Sequence, residues 1–171
     1  MDYIFTISKK FPGVLVSCSG DPETYENLVW EGGEPLPSDS EIVEAWFTVQ
    51  REIKWHFIKT ERDRRKAGGV KVGEKWFHSD DTSRIQQIGL VMMGANLPAN
   101  LMWKTMDGSF VLMSSQLASQ IFTTIAFSDQ NIFKVAEQHR MAMEASSDPE
   151  GYDFSGGWPD TYIDIDGDQT T

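Results

Sequence analysis

Between residues 38 and 67 the apolar side chains recur at the spacing of a helix. Ile42, Trp46, Val49, Ile53 and Phe57 step by four, three, four and four, which places them in one stripe. Both ends of the segment carry matching signals. Ser38 and Glu41 have capping-box spacing, in which the serine oxygen takes a free N–H and the glutamate reaches back. Asp39, Glu41 and Glu44 suit the positive end of a helix dipole, the basic residues from Lys59 to Lys66 suit the negative end, and Gly68-Gly69 supplies a stop. The pattern predicts one long connecting helix over 38–67. Trp46 and Ile53 fall on the stripe expected to pack inside. Phe47, Trp55 and Ile58 lie off it, so a second face is partly apolar and these three are candidate partner contacts. The heptad seam lasts about two repeats before it meets His56 and Thr60, short of the three or four that argue for a coiled coil.

Upstream, the pattern changes to period two. Tyr3-Ile4-Phe5-Thr6-Ile7 and Val14-Leu15-Val16-Ser17-Cys18-Ser19 are rich in β-branched and aromatic residues, with Phe11-Pro12-Gly13 as a turn between them. They predict a hairpin-like pair. Gly20-Asp21-Pro22 breaks it, and Tyr25 to Trp30 predicts a further short strand before the loop Gly32 to Pro37. Residues 1–37 thus read as a small β-rich module, too small to hold a core alone.

Downstream lies the most regular stretch. Val70-Lys71-Val72 and Lys75-Trp76-Phe77 flank the two-residue turn Gly73-Glu74, a β-hairpin signal. Ser79 or Asp80 caps a helix over about Asp81 to Met93, with Ile85, Ile88, Val91 and Met92 expected inward. Gly94 to Pro98 is a break. Met102 to Thr105 and Ser109 to Leu112 flank Asp107-Gly108, a second hairpin. Two further helices are expected: about Gln116 to Ala126, capped by Ser114 or Ser115, and about Gln130 to Met143, capped by Ser128 or Asp129. The fold class predicted is α+β: an N-terminal small β module (1–37), one long helix (38–67), then a compact unit of two β-hairpins and three helices (68–145). After Ala145 periodicity stops. Residues 146–171 form an acidic tail in which Tyr152, Phe154, Trp158 and Tyr162 are spaced aromatic anchors, expected to pack on another surface. Truncation after Pro149 is expected to leave the 62–143 unit folded.

Composition narrows the classes. The 171 residues include six Trp and ten Phe, enough bulk for a core. No apolar run reaches the roughly 20 residues of a membrane helix, and Met1 to Phe5 lacks a signal-peptide pattern, so an intracellular chain is expected. The single cysteine, Cys18, excludes an internal disulfide framework and multi-thiolate zinc sites. The net charge of −11 opposes nucleic acid and anionic membranes. The charge is patterned, however. A basic middle (Lys59, Arg62, Arg64, Arg65, Lys66, Lys71, Lys75) lies between acidic ends, which raises the docking of an acidic end on the basic middle.

Catalytic chemistry is missing from the sequence. There is no GxGxxG, P-loop or GxSxG. The histidines, His56, His78 and His139, stand apart. His78-Ser79-Asp80-Asp81 holds the residue types of a triad but not its geometry, and reads as a strand exit with a helix cap. Asp164-Ile165-Asp166-Gly167-Asp168 resembles half a calcium loop without the closing glutamate. No enzyme activity, cofactor or metal site is expected, and a glycan hydrolase would need paired carboxylates that the sequence does not identify.

The run Arg62 to Asp80, with its basic helix end and Gly69-Val70-Lys71-Val72-Gly73-Glu74-Lys75-Trp76-Phe77-His78-Ser79-Asp80 hairpin, resembles the opening of a small phage-associated domain of unknown function. Ser83-Arg84-Ile85-Gln86-Gln87 and Trp103-Lys104-Thr105-Met106-Asp107-Gly108-Ser109-Phe110 continue that series over about residues 55–143. Gly73-Glu74-Lys75 departs from the Asp-Gly-Lys or Gly-Gly-Lys of the family pattern. More loosely, Tyr25 to Trp30 followed by Pro37-Ser38 is similar to leaders of phage tail and tail-fibre-assembly proteins. The resemblance implies a tail-related role in the host cytoplasm during assembly, or in the virion tail. Two readings follow: an assembly chaperone that binds a tail fibre, or a structural virion component of tail or fibre that stays bound. In either, the partner is a tail fibre or other tail protein, or a second copy in a homo-oligomer. The candidate contacts are Phe47, Trp55, Ile58, Tyr152, Phe154, Trp158 and Tyr162.

Overall fold

In a computed structural model the chain is α+β, and its described residues form four helices and three two-stranded antiparallel sheets. Residues 1–21, 23–33, 35–162 and 165 are described. The elements run α1 (Tyr3–Lys10), β1 (Leu15–Cys18), β2 (Leu28–Gly32), α2 (Asp39–Lys66), β3 (Val70–Val72), β4 (Lys75–Phe77), α3 (Asp81–Met93), β5 (Met102–Lys104), β6 (Phe110–Leu112) and α4 (Ser115–Ala145), with short 3-10 turns at Tyr25–Asn27 and Gly94–Asn96. The chain forms two compact units, and the long helices α2 and α4 contribute to both. One comprises 1–56 with 142–152, the other 57–141 with 153–171.

The first unit begins with a correction. Residues 3–10, expected as a strand, form α1. Asp2 caps it, its carboxylate accepting from Phe5 N–H at 2.8 Å, and Lys9 and Lys10 sit in the last turn. Tyr3, Ile4, Ile7 and Phe11 also carry a helical spacing. Ile7 is fully buried and Tyr3, Ile4 and Phe11 pack on it together with Leu28 and Ile42. That burial outweighs the β preference of Ile4, Thr6 and Ile7. The partner of β1 is therefore β2, not residues 3–7, with Cys18 opposite Leu28. Tyr3 Oη donates to Asp39 Oδ1 at 2.8 Å, and partial burial followed by that carboxylate pushes the phenol up to about 12. The capping box at α2 forms as its spacing predicts: Ser38 N–H donates to Glu41 Oε2 at 2.8 Å and Glu41 N–H to Ser38 Oγ at 3.4 Å. Gln50 Nε2 donates to Glu150 Oε2 (2.7 Å) and Lys54 Nζ to the Tyr152 carbonyl (3.1 Å), fastening residues 146–152 to α2.

The second unit is built on both predicted hairpins, with Val70 opposite Phe77 and Met102 opposite Leu112. Its core is Val70, Phe77, Leu90, Met113, Ala118, Ile121 and Ile125. Gly69 joins α2 to β3 at φ +93°, where a Cβ would strike Met106 Sδ. Two expectations fail here. The third and fourth helices are one, α4, of 31 residues. Ser128 and Asp129 do not break it, because Asp129 forms a two-point pair with Arg84 (2.6 and 2.9 Å) instead of capping a new helix. Buried Ile121, Ile125, Ile132 and Ala136 recur at four, seven and four across that point, one unbroken stripe. The inward face of α3 is also not the predicted one. Gln87 and Leu90 are buried and Val91 packs on the core as expected, while Ile85, Ile88 and Met92 are exposed. Gln87 takes a core position because its Nε2 donates to the His78 carbonyl at 2.7 Å.

Candidate interaction surface

On α3 three of the four exposed large apolar residues share a face. Ile85, Ile88 and Met92 stand at i, i+3 and i+7. Ile85 is 71% and Met92 82% exposed, among the largest values for apolar side chains in the chain. Asp80 starts this helix by accepting from Ser83 N–H (3.1 Å) and Ser83 Oγ (2.6 Å), bonds that hold its carboxyl below the ordinary range. Arg84 anchors it. Its guanidinium donates to the Lys66 carbonyl at 2.9 Å and to the Ser79 carbonyl besides pairing with Asp129. Ser79 Oγ donates to the same Lys66 carbonyl (2.6 Å) and accepts from Gly69 N–H (2.9 Å), so the end of α2 is capped by a side chain ten residues beyond the β3 entry. The helix is thus held rigidly with an uncovered apolar face.

The second apolar surface is the outer face of the β5–β6 hairpin, where Met102, Phe110 and Leu112 are all exposed. Its turn is fixed by Asp107, whose carboxylate accepts from Lys75 Nζ (2.8 Å), Thr105 Oγ1 (2.5 Å), Ser109 N–H (3.0 Å) and Ser109 Oγ (2.7 Å). Lys75 first, then the hydroxyls, hold this carboxyl well below the usual carboxylate range. Exposed apolar side chains at this density are more than the single scattered residues any surface shows.

The sequence-predicted contacts are not brought together. Phe47 is exposed on α2 and Trp55 is half-buried. Ile58 is fully buried and is withdrawn as a surface contact. One stripe extrapolated along 28 residues assumes one core, whereas α2 serves two units and each buries its own positions. Tyr152, half-buried, belongs to the first unit. Phe154, Trp158 and Tyr162 are half-buried on the second unit itself. The Trp158 ring lies 5.2 Å from His139 and 5.4 Å from the Arg65 guanidinium, and its Nε1–H donates to the Phe154 carbonyl at 2.7 Å. His139 Nε2–H donates to the Gly156 carbonyl at 2.8 Å. The Tyr162 ring lies 6.0 Å from that of Trp76, tilted by 59°, and the Tyr162 N–H donates to the Gly68 carbonyl. The tail therefore does meet the basic middle, through an indole and through the Pro159 carbonyl, which accepts from Arg65 Nη1 at 3.1 Å.

The basic middle is largely engaged by its own neighbours. Glu61 accepts from Arg64 (2.7 Å) and Arg65 (2.5 Å), which lowers its carboxyl, Asp63 accepts from Arg62, and Arg62 and Lys66 lie over the Phe133 ring. A cavity of about 470 Å³ beside it is lined by Asp63, Lys66, Ala67, Ser79, Asp80, Asp81 and Arg84, so that three carboxylates face two cations. Among the described residues no three His, Cys, Asp or Glu side chains could hold a metal ion. The acidic run from Asp164 to Asp168 lies outside the described residues except for Ile165. Among the described residues no helix is long and apolar enough to cross a membrane.

Sequence reasoning missed the α3 face and the Arg84–Asp129 pair. The signal is the 3–4 spacing of Ile85, Ile88 and Met92, a pattern that a core-facing and a partner-facing helix stripe share.

Residues 49–156 match the family described as a domain of unknown function (DUF4376). No curated protein and no solved structure matches the chain.

Proposed function

The chain belongs to that family, and on this premise we propose that it is a phage tail-fibre assembly chaperone that covers apolar surface of the fibre while the fibre folds. The observation that carries the reading is the rigidly held, uncovered apolar face of α3. A folded domain that leaves Ile85, Ile88 and Met92 in water has surface suited to a transient apolar partner. The residues resembling a phage-associated domain, Gly69 to Asp80 and Trp103 to Phe110, supply the tail context.

The test is quantitative mass spectrometry of purified particles and of infected-cell lysate, with a tail protein as internal standard. The expected result is abundance in lysate, absence from particles and co-purification with the fibre. The Ile85→Asp/Met92→Asp double variant should keep the wild-type circular dichroism and lose the fibre. A fixed copy number in particles would instead make the chain a permanent tail component. Fibre capture unchanged in the double variant would sink the assignment of this face.

A further inference from the structure

The β5–β6 hairpin borders a cleft of about 280 Å³ whose walls are His78, Ser83, Gln86, Met102, Trp103, Lys104 and Phe110. Its chemistry is unusual for this chain. The net charge is −11, yet the ionisable residues of the cleft are Lys104 and His78, and no carboxylate lines it. Of the acidic side chains near it in sequence, Asp80 is bonded to the N–H and hydroxyl of Ser83, a wall residue, and Asp107 to Lys75, Thr105 and Ser109; neither they nor Asp81 lines the cleft. The Lys104 ammonium has no ion pair among the described residues. Beside it on the outer face is its cross-strand neighbour Phe110, and the next outward pair is Met102 and Leu112. A cationic and an aromatic residue are therefore cross-strand neighbours, with a thioether and an isobutyl group one pair along.

The geometry points to a recognition cleft for an extended segment of a partner protein in which a carboxylate adjoins an aromatic or large aliphatic side chain. The apolar side chain enters between Met102, Trp103 and Phe110, and the carboxylate meets Lys104 Nζ. Charge complementarity selects the acid: the cleft is a basic spot on an acidic molecule, so it attracts an anion that the rest of the surface repels. Size selects a peptide side chain. Small-molecule sites run from about 300 to 1,000 Å³, and this cleft lies just under that range. It also opens onto the exposed apolar face of the hairpin, which an extended segment would cover and a small molecule would not. The cleft does not depend on the partner being a tail fibre, and its test needs no fibre.

The probe is the synthetic peptide acetyl-Ser-Phe-Asp-Phe-Asp-Ser-amide, with the same peptide carrying Asn for both Asp as control. Each is titrated into the full chain to about 5 mM, where a millimolar Kd is visible, while two-dimensional NMR follows the Trp103 indole N–H and the Gln86 side-chain amide. The acidic peptide should shift both signals saturably, with the Asn peptide at least ten-fold weaker. Lys104→Glu, at an exposed position, should keep the wild-type spectrum elsewhere and abolish the shifts. Equal binding of the two peptides, shifts confined to other residues, or no shift at the highest concentration would overturn the proposal. Deleting residues 163–171 should leave the two signals unmoved. If that deletion alone shifts them, the chain's own acidic tail fills the cleft and the external partner falls.

Discussion

Asp107 is a surface carboxylate that behaves as a structural hub. Four donors converge on it from Lys75, Thr105 and Ser109, and they favour the ionised form. Its carboxyl is therefore depressed in the folded state. A depressed carboxyl contributes stability that is complete above the unfolded value, about 3.9 for aspartate, and is lost as pH falls through the lower folded value. Asp107 should stay ionised through the range in which ordinary aspartates titrate, with no midpoint near 4 in a carboxyl-carbon NMR titration. Asp107→Asn should remove that part of the acid sensitivity and loosen the β5–β6 turn, read as faster amide exchange at Thr105 and Ser109. A normal midpoint near 4 would show that the cluster of donors does not form in solution. The Asp-Gly turn was visible in the sequence. Lys75, which lies 32 positions away, was not, because nothing local to Asp107 names its cation.

At the scale of elements, helices formed where the end signals predict and faced where neighbours dictate. α2 and α3 begin and end where capping residues and glycines place them. The stripe did not survive intact. Ile42 and Val49 are fully buried, but Phe57 is exposed and Ile58 fully buried. Removing the Ile58 side chain leaves a cavity, so Ile58→Ala should cost about 2–5 kcal/mol in denaturant unfolding. Phe47→Asp, at an exposed position, should stay within about 0.5 kcal/mol of wild type. The reverse order of the two costs would return Ile58 to the surface. α4 teaches a related lesson. Ser128-Asp129 looks like a helix start, yet helical propagation through it was favoured by burial of Ile125 and Ile132 on either side and by Arg84, which satisfies the carboxylate.

For the whole molecule, the tail is the part most changed by the structure. Thr161 is buried against Gly68, so closely that a Cβ at that glycine would come within 2.7 Å of Thr161 Cβ. With Trp158 and Tyr162 it completes the second unit rather than waiting for a partner. Truncation after Tyr152 removes all of these contacts. It should lower the stability of the second unit by about 3 kcal/mol or more, the scale of deleting one large buried aromatic, and reduce its calorimetric melting temperature. Trp158→Ala alone should give part of that loss. An unchanged melt after truncation would mean that the tail is an accessory and that residues 57–141 hold their own core.

What the sequence by itself determined are features set within a few residues: the capping box at Ser38 and Glu41, the two hairpin turns, the bounds of α3 and the α+β class. Caps and turns are local hydrogen bonds between near neighbours, so their partners are written beside them. Only tertiary structure decided which face each helix buries, that residues 3–10 are helical, that α4 is continuous, and that Trp158 and Tyr162 serve the fold. Each of those depends on side chains brought from far along the chain: Leu28 and Ile42 onto Ile7, Arg84 onto Asp129, Arg65 and His139 onto Trp158. A helix with two half-apolar faces has no intrinsic inside. Burial is assigned by what packs against it, which is why Ile85, Ile88 and Met92 read as core in the sequence and stand in water in the fold.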